Sequence, residues 1–299
     1  MMSKQPAPPV IDYEGSDYQT SFWEEGGREY EDRCEQIALR RLLPDQGELL
    51  LEIGAGAGRN TPRYKGFKRV VLLDYSLSQL QQAQAYLGTS QSYTYVAGDV
   101  YRLPFVDGLF DGGTMIRTLH HMQDPLAALR QSKRVLQEGS PFILEYANKQ
   151  NLKAILRYVL GKQDWNPFSL DPIEFTELNY DFHPRMIRQQ LSEAGLELKK
   201  QLTVSHFRIN FLKKTIPSGL LAAVDGLLQP TGNLWQLSPS VFTRSTARFS
   251  EAPAPGKGFF QCPDCGTALP DHPEDATQLE CPSCGKTYPI LDGIYDFRH

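Results

Sequence analysis

Short apolar runs alternate with amphipathic stretches along most of the chain, and this alternation predicts a parallel sheet. The apolar runs predict strands at 48–53, 69–74, 93–98, 109–116, 140–146, 196–207 and 241–249. Apolar residues spaced three or four apart predict helices at 29–43, 58–65, 77–87, 125–136 and 184–195. Strands that alternate with helices form a sheet covered on both faces. We therefore expect an α/β, doubly wound and mostly parallel fold.

The first predicted strand leads into a glycine-rich turn. Residues 49–60 read LLLEIGAGAGRN, with Gly54, Gly56 and Gly58 spaced as G-x-G-x-G. Glycine permits positive φ angles and lets a ligand approach the backbone closely. The helix predicted at 58–65 would point free N–H groups at that ligand, which favours an anionic group. A tight strand-to-helix connection without a ligand is the alternative.

Acidic residues end the next two predicted strands. Asp74 follows Val70-Val71-Leu72-Leu73 and lies 20 residues after Gly54, the spacing of a ribose-binding carboxylate in a nucleotide site. Asp99 ends the run that begins at Tyr93. Because parallel strands present their carboxyl ends at one edge, these acids and Glu52 are predicted along a ligand-binding edge.

Five segments in this order resemble the class I S-adenosylmethionine-dependent methyltransferases of the type 11 branch. They are LEIGAGAGR, VVLLDYS, VAGDVYRLPFVDGLFD, RTLHHMQDP and RVLQEGSPFILEY, within residues 48–147. The resemblance implies a Rossmann-like, seven-stranded sheet that binds S-adenosylmethionine. It implies that the cofactor contacts Glu52, Gly54, Ala55, Gly56, Asp74, Tyr75, Asp99 and Val100. A dinucleotide site is disfavoured, because Arg59 occupies the last position of G-x-G-x-x-G/A.

Two histidines and an arginine follow the fourth predicted strand. His120, His121 and Arg117 lie at the edge that would face the transferred methyl group, where a base or an acceptor contact is useful. Packing or surface roles are the alternatives for each. Tyr146, Asn148, Tyr180, His183 and His206 are further pocket candidates of the same kind.

Four of the five cysteines lie in the last 40 residues. They are spaced as C-x2-C, 15 residues, C-x2-C, at Cys262, Cys265, Cys281 and Cys284. Two such pairs make a closed tetrahedral site, so the pattern predicts a structural Zn²⁺ with no position open for catalysis. A pair of disulfides is the alternative, and a reducing compartment disfavours it.

The cysteine-rich segment resembles the small zinc-ribbon protein that activates tRNA and protein methyltransferases, which suggests a protein partner. Its residues 259–299 carry seven acidic and two basic side chains, so nucleic acid is an unfavourable partner. The remaining cysteine, Cys34, is predicted to be an ordinary half-buried thiol.

Composition adds few constraints. A hydrophobic fraction of 40%, a charged fraction of 22% and a net charge of −4 are typical of a globular protein. No leader peptide or membrane-spanning run is predicted, so a cytoplasmic location is expected.

The predicted organisation has four parts. They are a flexible lead-in and cap at 1–27, a methyltransferase domain at 28–250, a linker at 251–258 and a zinc ribbon at 259–299. Insertions at 148–182 and 208–238 would shape a pocket for a small-molecule methyl acceptor. Alternatives are a tRNA or protein acceptor docked by the ribbon, or a non-catalytic scaffold that binds the cofactor. The apolar insertion at 208–238 is expected to face the core, with membrane-surface association as its alternative.

Overall fold

One ten-stranded sheet runs through the molecule. The computed structural model describes residues 8–10, 14–15, 27–250, 256–273 and 275–298. Most of the predicted lead-in, including Trp23, and part of the predicted linker lie outside these residues. The strands of the sheet follow the order β10-β11-β12-β3-β2-β1-β4-β5-β9-β8. The strands are β1 (Gly47–Ile53), β2 (Phe67–Asp74), β3 (Tyr93–Ala97), β4 (Gly112–Met115), β5 (Pro141–Ala147), β6 (Ile173–Thr176), β7 (Asn179–Asp181), β8 (Leu196–Val204), β9 (Ser240–Ala247), β10 (Gln278–Glu280), β11 (Thr287–Leu291) and β12 (Ile294–Asp296).

Helices cover both faces of the sheet. They are α1 (Glu29–Leu42), α2 (Leu77–Leu87), α3 (Pro125–Val135), α4 (Leu152–Val159), α5 (Pro184–Glu193), α6 (Asn210–Thr215) and α7 (Ser218–Leu228). Alternate residues of a strand point to opposite faces. Thus Leu50 of β1 packs in a core with residues of α1 and α2, while Leu51 packs in a core with residues of α3 and α5. This arrangement confirms the doubly wound α/β fold.

Seven of the ten strands form the predicted methyltransferase-like sheet. β1 pairs in parallel with β2 and β4, β2 with β3, and β4 with β5. The last two strands run antiparallel to their neighbours, as β5 to β9 and β9 to β8. Since β8 therefore runs in the direction of β5, its carboxyl end reaches the same edge as those of β1 to β5.

The cysteine-rich segment extends this sheet. β12 pairs in parallel with β3, with Ile294 opposite Tyr95 and Asp296 opposite Ala97, and β11 and β10 continue outward. Buried Cys262, Cys281 and Tyr288 share a core with residues of the central strands. The boundary between the two units at 251–258 stays a prediction.

Each insertion adds structure at the carboxyl edge. Residues 148–182 contain α4 and a hairpin of β6 and β7, and residues 208–238 contain α6, α7 and a 3-10 turn at Gln229–Asn233. α7 packs against α1. None of the described helices combines the length and the apolar character needed to cross a bilayer.

The helix predicted at 58–65 is wrong. The structure has a single 3-10 turn at Thr61–Arg63, with Pro62 inside it. Gly58 has a positive φ of 79° before the turn, and Gly66 lies after it. Within this connection the N–H groups of Thr61, Arg63 and Tyr64 donate to carbonyls three residues earlier, so the free N–H groups expected at the start of a helix are reduced.

Candidate functional site

A cavity opens at the carboxyl edge of the sheet, where β1, β2, β3 and β4 end. Its wall draws on the turns after all four strands, on α2 and on the N-terminal Val10. The lining residues are Val10, Ile53, Gly54, Gly56, Leu73, Asp74, Tyr75, Gln79, Gly98, Val100, Arg117, Thr118, His121 and Met122. Gly54, Gly56, Asp74, Tyr75 and Val100 were predicted to bind the cofactor, and the fold brings all five together on this wall.

The glycine-rich turn needs glycine for two different reasons. Gly54 has a φ of 72°, and a Cβ there would lie 2.0 Å from Oγ1 of Thr118. Gly56 has a φ of 53°, but a Cβ there would meet only Oε1 of Gln79, at 3.8 Å. The first glycine therefore permits close packing of the turn, and the second leaves backbone open toward the cavity.

Asp74 joins the glycine-rich turn to the end of β2. Its carboxylate accepts hydrogen bonds from the backbone N–H of Gly56 at 2.7 Å and of Ser76 at 3.0 Å. The carboxylate thus fixes the turn against the start of α2, and it lines the cavity where a ligand would bind.

Glu52 lies beneath the turn rather than on the cavity wall. It is buried and accepts hydrogen bonds from the hydroxyls of Thr61 at 2.6 Å and Tyr64 at 3.3 Å. Burial raises the pKa of its carboxyl to about 7. Glu52 therefore supports the turn from below, and its direct contact with the cofactor stays a prediction.

Asp99 is likewise placed next to the wall. It is buried and caps the 3-10 turn at Val100–Arg102 by accepting a hydrogen bond from the Tyr101 N–H at 2.8 Å. Its neighbours Gly98 and Val100 line the cavity. Ala55 is also off the wall, where its N–H donates to the carbonyl of Leu73. The predicted cofactor contacts of Asp99 and Ala55 stay predictions.

The two histidines occupy one 3-10 turn but have different surroundings. His121 lines the cavity, and its Nδ1 lies 3.1 Å from the carbonyl oxygen of Leu178 in the β6–β7 hairpin. A carbonyl only accepts, so Nδ1 carries the hydrogen and Nε2 the lone pair. Burial lowers the pKa of His121, which favours the neutral ring.

His120 packs against the ring of His121 at a tilted angle and is not part of the cavity wall. The ring centroids are 3.9 Å apart, and Nδ1 of His120 is buried with no hydrogen-bond partner among the residues the structure describes. Burial, His121 and Arg117 lower its pKa well below the ordinary value. His121 is thus the better placed of the two to act as a base.

Arg117 connects the cavity to α1. Its backbone has a positive φ of 59°, unusual for a residue with a side chain. The guanidinium donates to Glu35 through Nε at 2.7 Å and Nη2 at 2.5 Å. Arg59 donates to the other oxygen of Glu35 at 2.8 Å. Burial alone would raise the pKa of Glu35. The positive charges of Arg117 and Arg59 have the larger effect and lower the pKa to about 2.

The sequence contained one indication that Glu35 would be buried and paired with a cation. It lies on the face of α1 that also carries the apolar residues Leu39 and Leu42, and an acid on that face needs a cationic partner when buried. Which cation that would be depends on contacts between distant residues. The sequence interpretation therefore missed this anchor.

Arg208, which follows β8, and Asp181, at the end of β7, form a second polar group near Arg117. Nε and Nη2 of Arg208 are buried and have no hydrogen-bond partner within the described residues. Burial is the larger cause and the charge of Arg117 the smaller one that lower the pKa of Arg208 to about 10. The pKa of nearby Asp181 is raised to about 6, mainly by burial and to a smaller extent by the charge of Glu145. No local sequence signal marked Arg208 or Asp181, because they come from different insertions.

The other pocket candidates have structural partners or lie elsewhere. The side chain of Asn148 donates to the carbonyls of Gln236 and Ser238, and that of His183 caps α5. His206 pairs with buried Asp225 at 2.9 Å. The hydroxyl of Tyr146 is buried without a partner in the described part of the chain. Neither these four nor Tyr180 contributes to the cavity wall.

The four C-terminal cysteines converge. Their sulfur atoms all lie within 4.8 Å of one another, and the thiols are not joined as disulfides. The hydroxyl of Tyr288 lies 3.0 Å from the sulfur of Cys262. Four thiols at these distances fit the ligand set of a single tetrahedral metal ion. The segment can therefore hold one metal ion.

Comparison with known proteins identifies the central part of the chain. Residues 51–144 match the family model described as a methyltransferase domain. O-methyltransferase cnsE of Penicillium expansum is 31% identical over 145 residues, which are 45% of this chain and 52% of that protein. The chain thus spans about half the length of the curated relatives it matches.

Solved structures show the same fold over a larger part of the chain. A methyltransferase of Thermotoga maritima, described as dependent on S-adenosylmethionine, has a TM-score of 0.56 and 18% identity, covering 79% of this chain and 98% of that one. A complex of the Trm112 methyltransferase activator of Haloferax volcanii with a methyltransferase matches with a TM-score of 0.55 and 18% identity, covering 78% of this chain and 96% of that one. The solved structures thus show a Rossmann-like fold for this chain, and residues 51–144 within it match the methyltransferase domain.

Proposed function

We propose that the protein is an S-adenosylmethionine-dependent methyltransferase that acts on a small molecule. The observation that carries this proposal is the cavity in which the turn at Gly54 and Gly56, the carboxylate of Asp74 and the ring of His121 share one wall. The family match and the methyltransferases among the relatives support it.

In this proposal the cofactor occupies the part of the cavity nearest β1 and β2. The backbone at Gly56 would receive its methionine end, and the carboxylate of Asp74 on the same wall would accept hydrogen bonds from the ribose hydroxyls. Tyr75 and Val100 flank the adenine. When bound, S-adenosylmethionine supplies an electrophilic methyl group on a sulfonium, which is transferred in line to a nucleophile.

His121 is the proposed base. The relatives named as O-methyltransferases support a hydroxyl as the acceptor. Nε2 of His121 would accept the hydroxyl proton of the acceptor, and the bound cofactor would supply the methyl group that the oxygen receives. Arg117 is assigned the role of a positioning residue, because its guanidinium is held by Glu35.

The polar group at Arg208 and Asp181 is proposed to receive the acceptor. Buried donors without partners are costly, and an oxygen of the acceptor would satisfy those of Arg208. The hairpin of β6 and β7 covers this side, since Leu178 contacts His121.

A docked tRNA or protein acceptor is the second candidate, and the Trm112 complex among the similar structures is its support. We favour the small molecule, because the cysteine-rich segment already pairs its strand β12 with β3 of the same chain. That edge of the segment is therefore not open to a tRNA or protein acceptor. We further propose that the four cysteines bind Zn²⁺ as thiolates, and that the protein is cytoplasmic, where thiols remain reduced.

Thermal unfolding with S-adenosylhomocysteine, and separately with NAD, tests the cofactor. At about 100 times its dissociation constant a ligand adds about 2.7 kcal/mol to stability, roughly 5–10 °C for a domain of this size. We expect this shift with the homocysteine compound alone. A shift with NAD alone would overturn the proposal.

Replacement of Asp74 tests the ribose contact. Asp74→Ala should weaken binding of S-adenosylhomocysteine by about 1–3 kcal/mol, the value of hydrogen bonds to a charged group. Asp45→Ala, at an exposed turn before β1, is the matched control and should bind as the wild type does. Unchanged affinity in Asp74→Ala would remove Asp74 from the site. Normal cofactor binding without methyl transfer to any acceptor in a metabolite extract would favour the non-catalytic scaffold.

A further inference from the structure

One face of α7 is apolar and exposed. Leu221 and Ala222 of this helix are buried toward α1. Leu220, Val224 and Leu227 point away from the molecule, and Leu227 is 79% exposed. A helix that is apolar all round is ordinarily buried on every side. Here no described residue covers the outer side.

The exposed apolar surface continues from α7 to α4. The 3-10 turn after α7 leads to Leu234 and Trp235, which are exposed. The N–H of Leu152, at the start of α4, then donates to the carbonyl of Leu237 at 2.9 Å, which brings the two regions together. Leu156 and Val159 extend the exposed surface along α4, and Val159 is 72% exposed.

Basic side chains border this surface. Lys153, Arg157, Lys162 and Lys214 are all exposed. Residues 149–163 contain no acid, and the one acid in 208–238, Asp225, is buried. The whole chain has a net charge of −4, so positive charge is concentrated here, and acidic positions resume only at Asp164. We call the outer sides of α4 and α7, together with residues 234–237, the apolar–basic face.

We propose that the apolar–basic face docks on the surface of an anionic lipid bilayer. Large apolar side chains that cluster on the surface in this way mark an interaction site. Leucine and tryptophan on one side with lysine and arginine at the border are the composition of helices that lie in the membrane interface. A second copy of the chain is a poorer occupant, because pairing identical faces brings like charges together.

The position of the face fits this role. α4 follows the carboxyl end of β5, and α6 and α7 follow the carboxyl end of β8. The cavity lies at this same edge. A protein docked through the apolar–basic face would therefore hold its cavity close to the bilayer surface.

Vesicle flotation of the full chain tests the docking. We expect the wild type to float with vesicles of phosphatidylcholine and phosphatidylglycerol and to bind much less to vesicles of phosphatidylcholine alone. Raising the salt to about 1 M, where the screening length is about 3 Å, should release most of it. Lys153→Gln with Arg157→Gln should weaken binding by about 30-fold, the effect of two basic side chains near an anionic surface.

Leu227→Glu tests the apolar part and should abolish most of the flotation. Tyr86→Glu is the matched control, since Tyr86 is 66% exposed on α2, a helix that packs against β2 and β3. Thermal unfolding with S-adenosylhomocysteine reports the fold and the cavity of each variant independently of vesicle binding. A wild type that floats with neither vesicle would overturn the proposal. So would a dimer in solution that Leu227→Glu dissociates, because the face would then bind a second copy.

Discussion

Two buried glutamates next to the cavity show how surroundings decide the charge of one residue type. Glu35 lies between Arg117 and Arg59, and its pKa is held near about 2. Glu52 is contacted by hydroxyls, and burial raises its pKa to about 7. The first carboxylate is therefore an anchor for cations, and the second gains or loses its proton near neutral pH.

The raised pKa of Glu52 predicts a pH dependence of stability. The unfolded chain loses this proton near 4.5 and the folded chain near about 7, so the folded state binds more protons between these values. Stability contributed by Glu52 is thus full below about pH 4.5 and is lost as the pH rises to about 7, in total about 3 kcal/mol. Glu52→Gln should lack this loss.

Urea unfolding between pH 5 and pH 8 measures the effect as the difference between Glu52→Gln and the wild type. Glu48→Gln is the control in the same strand, since the Glu48 side chain is 71% exposed and pairs with an exposed lysine, Lys68. Parallel stability curves for Glu52→Gln and the wild type would contradict the raised pKa.

At the scale of elements, α1 is fastened to the site by charge. Glu35 joins this helix to Arg59 in the turn after β1 and to Arg117 after β4. Asp32, one turn earlier, pairs with Arg63 at 2.6 Å. The helix therefore holds the glycine-rich turn and the end of β4 in one arrangement.

Glu35→Gln should loosen this arrangement. It removes the charge that compensates two largely buried guanidinium groups, and breaking a buried ion pair costs about 3–5 kcal/mol. We expect that loss in the free energy of unfolding, together with weaker binding of S-adenosylhomocysteine. Glu29→Gln on the same helix, with a side chain 64% exposed, should stay within about 0.5 kcal/mol of the wild type. Equal effects of the two substitutions would show that Glu35 is not an anchor.

Elements whose pattern depends on near neighbours were predictable from the sequence. α2 begins at Leu77 and ends at Leu87, as predicted, because Ser76 caps it and Gly88 ends it. Asp74 was predicted at the ligand-binding edge because spacing along the chain and position in the sheet agree in a βαβ unit, and it lines the cavity. The contacts of His121 with Leu178 and of Arg117 with Glu35 join residues 57 and 82 positions apart, and nothing local specifies them.

The extent of the sheet also depended on distant contacts. The seven predicted strands follow from their apolar runs, but the pairing of β12 with β3 joins residues about 200 positions apart in the chain, such as Ile294 and Tyr95. The cysteine spacing predicts the metal site and is silent on what the segment packs against. The insertion at 208–238 likewise shows both apolar sides in its sequence, and only packing on α1 decides which one is buried.

At the scale of the whole molecule, the cysteine-rich segment contacts the side of the fold that carries the cavity. Arg102, after β3, pairs with Asp264 at 3.3 Å. Arg298 donates to the carbonyl of Tyr75, a residue of the cavity wall, and the side chain of Gln84 on α2 donates to the carbonyl of Asp292. The four-cysteine cluster and the cavity are thus linked through β3, β12 and these contacts.

Loss of the metal should therefore affect both parts. Cys281→Ser should abolish binding of one Zn²⁺ per chain, lower the unfolding temperature and weaken binding of S-adenosylhomocysteine, because a structural zinc site contributes folding energy directly. Metal analysis, thermal unfolding and ligand titration measure the three effects. Ser283→Ala, an exposed position in the same loop, is the control and should leave all three unchanged. If Cys281→Ser loses the metal but binds S-adenosylhomocysteine with the affinity of the wild type, the metal stabilises only the cysteine-rich segment. Its loss would then leave the cavity unchanged despite the pairing of β12 with β3.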